Sequence, residues 1–435
     1  MSGGYKMDAR NTILTKHKNR VTRTKDHIII HRMNHPSCAS SFLIALQSGI
    51  RDGYKAFTIE WKGDLVYPDA CVPIAGIICY YAENYRIQFT YVLPDDSYLQ
   101  HCGFVSPFVE SAEDIAKEKF PFDKLFRYKD SAQVAALTQA YVDGISHQTE
   151  CSEGVLTGLI WCLNEIMDNV LVHSGAGYGF VMVQYHQGMN TIAICVYDSG
   201  IGIYNSLRHS EHQPLAAIDA ITLAVQEGVG DGLGQGNGLF GLYQIVSDNN
   251  GALTITSGPA SVMWSAQKEM KKFTNLPFIS KRYNATTIDY RLNLSNTINI
   301  QKAFKSIGGF DGFDVRLDYM IQDDNTMKYD VFKNSIGTAT REAGSYLRND
   351  ILNTITRTQT GLILDFAGVR TVSSSFADEL VAKLVLKLGL IKFNQLIRMI
   401  NVNENVKFLC ERSVYMRIHD EWDTVHYGSD NFSDN

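Results

Sequence analysis

The sequence predicts an α/β protein built from several domains. Three observations carry that reading. From residue 37 to 128, strand-length apolar runs alternate with helically spaced ones, the pattern of a helix-covered sheet with parallel pairing. The alternation returns in GLILDF (Gly361 to Phe366) followed by SFADELVAKLVLKL (Ser375 to Leu388). Between them, from Leu159 to Leu242, three polar or glycine-rich clusters interrupt apolar segments. Each marks a place where backbone or a carboxylate is wanted at a pocket wall. A chain of 435 residues fits roughly two to four domains.

Residues 1–36 are basic, with Lys6, Arg10, Lys16, Lys18, Arg20, Arg23, Lys25 and Arg32 and few acids. They read as a solvated lead-in, or as an arm for an acidic partner. SSFLIALQSGI then has helical spacing, and Ala56 to Trp61 (AFTIEW) reads as a strand. Pro68 to Tyr81 reads as a helix with Pro73 in its first turn, and Ile87 to Val92 as a further strand.

Lys129 to Thr149 is a predicted helix. In the next segment Leu159, Leu163, Ile166, Met167 and Val170 recur at helical spacing. Glu165 and Asn169 are one turn apart on a shared face, with Asp168 close by. A carboxylate there can accept a proton from water or a hydroxyl. An amide oxygen can ligate a hard cation such as magnesium. The bland alternative is a solvated polar stripe. Thr191 to Tyr197 reads as a buried strand, ending in Asp198-Ser199-Gly200-Ile201-Gly202. Taken alone, that cluster equally fits a strand-ending turn. The third cluster, Gly234-Gln235-Gly236-Asn237-Gly238-Leu239-Phe240-Gly241, runs into a helical pattern. Glycines let backbone amides approach an anion, and a helix start favours phosphate. A linker would not lead straight into a patterned helix.

Pro214 to Glu227 is helical in pattern and Gly228 to Gly236 is glycine-dense. That is lid composition, a helix on a hinge, or else a mobile surface loop. Ser257 to Arg282 reads as a ragged hairpin, and Thr286 to Leu292 as a closing strand. Further on, Asp318 to Gln322 and Lys328 to Phe332 precede a helix opened by Ile336 to Arg341 and reaching Ile355. Beyond Gly428 the tail is polar and acidic and reads as disordered.

In this order, the three clusters resemble the N, G1 and G2 boxes of the GHKL ATPase superfamily, over about Gln133 to Leu294. Thr286 falls at the family's threonine. The third box departs from the usual G-x-G-L-G-L, because Phe240 stands before Gly241. The resemblance implies a Bergerat-type sandwich binding ATP and Mg2+. Asp198 would accept the adenine amine, which disfavours guanine by roughly 1–3 kcal/mol or more. Gly200 and Gly202 would let base and ribose lie against the backbone. Asn169 would ligate magnesium. Gly234, Gly236, Gly238 and Gly241 would supply amides to phosphates. Thr286 would support Asp198, and Glu165 would be the general base, worth about 10²–10⁴-fold. The run NVLVHSG resembles the anti-sigma-factor serine kinases, which makes His173 part of that pattern. His147 stands where a histidine kinase carries its phosphoacceptor, but too few residues separate it from Asn169 for a dimerisation hairpin.

LDFAGVRTVSSSFADEL resembles a STAS-like domain. Ser374 falls at the phosphoserine position of such antagonists, although Ser373 and Phe376 replace the usual aspartate and glycine. A serine-rich helix N-cap explains Ser373 to Ser375 equally well. The alternation in residues 37–128 looks like a degenerate STAS fold without a phosphoacceptor. The expected organisation is therefore a basic arm (1–36), a STAS-like domain (37–128), a GHKL domain (129–295), a second STAS-like domain (296–427) and a tail (428–435).

A net charge of −6 gives no whole-chain field for nucleic acid. Eight scattered cysteines without a C-x-x-C pair fit reduced thiols in a cytoplasm. No apolar run looks long enough for a bilayer, and no signal peptide is visible. The expected function is a regulatory ATPase whose nucleotide state sets the packing and partner binding of its STAS-like domains. The alternatives are a serine kinase of the partner-switching type, acting on Ser374 or on a separate antagonist, and a non-catalytic nucleotide sensor. A protein partner is expected, with a homodimer as the default assembly.

Overall fold

The computed structural model describes residues 20–232, 237–266, 269–274, 284–303, 315–322, 324 and 326–427. Helices and strands mix in three sheets, so the class is α/β as expected. Two compact units are present. The first combines Met1–Tyr141 with Gly158–Phe310, and the second combines Val142–Thr157 with Asp311–Asn435.

The first unit opens with a four-stranded sheet of β1 (Val21–Thr24), β2 (His27–Ile30), β3 (Ala56–Trp61) and β4 (Gln88–Val92). β1 and β2 form an antiparallel hairpin, while β2, β3 and β4 pair in parallel. The expected basic arm thus holds two strands, because Ile28 and Ile30 are fully buried. Residues 1–19 lie outside the described residues. Helices α1 (Ser37–Arg51) and α2 (Pro68–Tyr85) follow the expected alternation. Pro68 occupies the start of α2, and Pro73 lies inside the helix, beyond the first turn expected for it.

A seven-stranded sheet comes next: β5 (Phe126–Tyr128), β6 (Gly179–His186), β7 (Thr191–Asp198), β8 (Ala252–Ser257), β9 (Ala260–Trp264), β10 (Met270–Phe273) and β11 (Thr286–Asn293). Its order is β10-β9-β8-β11-β7-β6-β5, antiparallel throughout. The expected boundary at 128 therefore falls at the end of β5, which pairs with β6. One face of this sheet packs on α2. Gly76 approaches Tyr197 so closely that a Cβ there would sit 2.1 Å from the ring. Phe180, Met182, Cys195 and Tyr197 join the core of the N-terminal layer. Burial on both faces explains why β7 reads as an unbroken apolar run.

The other face carries α3 (Ser131–Gln148), α4 (Val155–His173) and α7 (Gly238–Asp248), with α5 (Ile203–Leu207) and α6 (Ala217–Ala224) between β7 and α7 in sequence. Among the described residues, α4 is the one helix with the length and apolarity of a membrane span, against the expectation of none, and most of it is buried in the fold.

In the second unit β12 (Met327–Asp330), β13 (Leu362–Asp365) and β14 (Ile397–Ile400) form a parallel sheet. Helix α8 (Arg341–Thr358) starts at Thr340, whose hydroxyl accepts from Ala343 N. The helix expected over Ser375 to Leu388 is interrupted. It comprises α9 (Ser374–Ala377), a π-helical turn (Asp378–Ala382) and α10 (Lys383–Leu388). Helix α11 (Leu390–Leu396) precedes β14, and α12 (Glu404–Tyr427) ends the described chain.

Val142–Thr157, expected in the ATPase domain, belong to this unit because their polar groups bond to α8. Buried Asp350 accepts Ser146 Oγ at 2.6 Å, Tyr329 OH at 2.8 Å and Arg316 Nη1 at 2.8 Å. Asn353 donates to Ser146 O and Thr149 O and accepts from Cys151 N. An uncapped helix end is thereby satisfied by α8.

Candidate functional site

A cavity of about 380 Å³ opens in the first unit on the sheet face away from α2. Its wall contains Glu165, Asn169, Asp198, Gly202, Gly238 and Thr286. Six of the residues singled out in the sequence are thus brought together. The volume lies within the range of small-molecule pockets, roughly 300–1,000 Å³.

Each residue is placed by its element. Glu165 and Asn169 stack one turn apart on α4, and the Asn169 side chain donates to Glu165. Burial pushes the Glu165 carboxyl up, and exposed Asp168 pushes it further, while His173 and Asn169 oppose the shift. Asp198 ends β7 at 5 % exposure. Burial raises its carboxyl to about 7, and the Gly200 N–H bonded to its Oδ1 at 2.8 Å offsets part of the rise. Thr286 pairs with Asp198 across β11 and β7. Its hydroxyl meets Ser257 Oγ at 3.2 Å, and Ser257 in turn accepts Ile203 N.

The glycines divide. Gly202 takes φ +78°, which only glycine adopts freely, and lines the cavity. Gly238 lies under the Glu165 side chain, and a Cβ would sit 2.1 Å from its Oε1. Gly200 serves a close approach instead. A Cβ there would strike Ser174 O at 2.1 Å. Gly241 is corrected from phosphate donor to packing residue. Its N–H bonds to Asn237 O at 2.8 Å, and it lies flat against Trp161. Gly234 and Gly236 lie outside the described residues.

Ser206, Asp231 and Asn237 also line the cavity, and the sequence pattern gave none of them a role. His173 Nδ1 lies 2.7 Å from Asp231 Oδ2, and Ser206 Oγ donates to the same oxygen at 2.8 Å. Asn237 Oδ1 accepts Gly228 N at 3.0 Å. Gly228 and Asp231 of the glycine-dense stretch are therefore both tied down. The one signal in the sequence was its isolated acid among glycines.

The donor set suits a nucleotide chemically. A buried carboxyl can take an exocyclic amine, the Asn169 amide donates to the Glu165 carboxylate and keeps its oxygen for a cation, and a helix N-terminus opens at Gly238. Among the described residues no group of three or more His, Cys, Asp or Glu is arranged for a metal ion. Asn169 could hold Mg2+ only together with phosphate oxygens and water.

His147 is no exposed acceptor. Its Nδ1 lies 2.7 Å from Asp143 O, its Nε2 3.2 Å from Asp350, and its ring stacks on Tyr346. In the second unit Ser373 is the N-cap of α9, accepting from Phe376 N. Ser374 is exposed at the first position of the helix. Asp365, at the end of β13, pairs with Lys328 at 2.6 Å and accepts from Asn401. Residues 343–407, which run from α8 through β13 and β14 into α12, match the model of a STAS-like domain of unknown function (DUF4325). The chain carries a STAS-like domain. No curated protein and no solved structure matches the chain. The match starts two residues inside α8, so β12 lies before the matched STAS-like segment while pairing with its β13.

Proposed function

We propose that the chain is a GHKL-type, Mg-ATP-binding regulatory protein that hydrolyses ATP to switch partner binding through its STAS-like domain. The observation that carries the reading is the convergence of Asp198, Glu165 and Asn169 on one cavity. They come from the end of a strand and one face of a helix, as the first two boxes require. In this reading Asp198 takes the adenine amine and Glu165 orients and deprotonates the attacking water. Asn169 holds Mg2+, which would neutralise phosphate charge. Thr286 acts through Ser257, and Gly238 leaves room for Glu165. The N-terminal layer as a degenerate STAS fold belongs to the same reading and is supported by the parallel β2, β3 and β4. A cytoplasmic location is supported by eight free cysteines. A regulatory protein partner and a homodimer complete the proposal.

A serine kinase of the partner-switching type is the second reading, favoured by the exposure of Ser374. Incubation with γ-labelled ATP separates the two. Free phosphate without protein label supports hydrolysis. Label that Ser374→Ala removes supports the kinase. Calorimetry tests the common site: magnesium-dependent uptake of ATP that Asp198→Asn strongly weakens is expected, and no uptake by the native chain defeats both readings.

A further inference from the structure

Among the described residues, four ionisable side chains line the cavity: Glu165, Asp198, Asp231 and His173. Three are acids, no lysine or arginine is present, and His173 is the one base. A phosphate chain entering such a site meets like charge unless a cation offsets it. Mg2+ arriving with the ligand supplies part of that offset. Among those lining side chains, His173 is the one that can supply the rest. It is the last residue of α4, one turn beyond Asn169 and two beyond Glu165 on the same face. Its Nδ1 lies 2.7 Å from Asp231 Oδ2, an oxygen that also accepts Ser206 Oγ at 2.8 Å. A carboxylate only accepts, so Nδ1 carries the hydrogen. Asp231 thus takes one side of the ring, which leaves Nε2 for the contents of the cavity. The His173 side chain is 28 % exposed, within reach of a ligand. The carbonyl end of a helix favours positive charge, and the ring sits at that end of α4.

We infer that His173 is the phosphate contact of this cavity, donating from Nε2 to a phosphate oxygen while Asp231 holds the ring by Nδ1. A ring that donates from both nitrogens is the imidazolium, a cation lying between two anions. Each anion then strengthens the hold of the other. Phosphate bound at Nε2 tightens the contact at Nδ1 and, through Asp231, the stretch 228–232. By reciprocity, a well-held stretch favours phosphate uptake by the same factor. The inference rests on the nucleotide reading of the cavity and deepens it, because it names the side chain that meets the phosphates. It can be tested with a probe that carries no adenine.

The test is calorimetry on the full chain with Mg2+, using inorganic tripolyphosphate, ATP and adenosine as ligands. The native chain should take up tripolyphosphate. His173→Gln should weaken tripolyphosphate and ATP by about tenfold or more and leave adenosine unchanged. His173→Lys keeps a cation without the Nδ1 contact and should restore most of that loss. A ring that served only to hold 228–232 would weaken all three ligands alike, and that result overturns the inference. Hydrogen exchange on the native chain needs no variant: tripolyphosphate should slow exchange over 228–232. Exchange that tripolyphosphate leaves unchanged, or no uptake of tripolyphosphate at all, is equally decisive against it. The two readings fail differently. ATP uptake that responds to Asp198→Asn but not to His173→Gln sinks this inference alone. ATP held no better than tripolyphosphate, with the His173→Gln loss still present, sinks the nucleotide reading and leaves the phosphate contact standing.

Discussion

The Glu165 carboxylate lies across the α-carbon of Gly238, where a methyl group would come within 2.1 Å of Oε1. The start of α7 and the middle of α4 therefore meet over this acid. Substituting Gly238→Ala should push Glu165 out of the cavity. If Glu165 is the base, phosphate release should fall by about 10²-fold or more, with nucleotide uptake in calorimetry changed far less. Glu165→Gln should reproduce the loss. A full turnover rate in both variants would remove Glu165 from the mechanism.

Asp198 ties ligand uptake to pH. Its carboxyl is raised to about 7 by burial, so the acceptor form grows as pH passes from about 6 to 8. Affinity for an adenine nucleotide should rise over that interval and then level. Asp198→Asn should leave only a weak, pH-independent residue of binding. The same shift costs stability: the folded chain prefers the protonated acid, so stability falls between about pH 4 and 7. Calorimetric titrations at three pH values check the first expectation, and a pH series of melting curves the second.

The contact of His173 with Asp231 restrains the glycine-dense stretch. Asp231→Ala removes that contact and the one from Ser206 together. The His173 side chain is partly exposed, so a cost of about 1 kcal/mol is expected. Hydrogen exchange over 228–232 should quicken about fivefold. Exchange at the native rate would mean that the segment is held by something else.

In the STAS-like unit the acid at 350 is the costly one to disturb. Burial would raise the Asp350 carboxyl, but Arg316, His147 and the hydrogen bonds outweigh it and hold it well below the usual carboxylate range. Its contribution is therefore present above about pH 4 and lost on further acidification. Arg316→Met should cost about 3–5 kcal/mol by stranding a buried charge. Ser146→Ala should cost about 1–3 kcal/mol. Denaturant midpoints at neutral pH measure both.

Much of the cavity could be read from the chain because its parts are local. Glu165 and Asn169 follow from helical spacing, and Asp198 from a strand that stops at an acid. Thr286 was legible as the start of a strand, although its hydroxyl partner, Ser257, was not. What escaped was long-range. Nothing in the spacing joins His173 to Asp231, 58 positions away. Gly241 looked like one more phosphate glycine, but its N–H is taken by Asn237 O and the Trp161 indole lies against it. The grip of Asn353 and Asp350 on residues 146–151 spans more than two hundred positions. No periodicity encodes a hydrogen bond of that reach. Pro73 misled for a local reason, since Pro68 had already taken the position that proline favours at a helix start.

Because Val142–Thr157 are threaded into the second unit, that module is written in two instalments along the gene. A clone beginning anywhere after the cavity-bearing segment would deliver α8 without Ser146, which donates to its buried aspartate, and without the backbone groups that Asn353 binds, and would be expected to precipitate. Grafting the module elsewhere therefore means transplanting both pieces, with a spliced loop in place of everything between them.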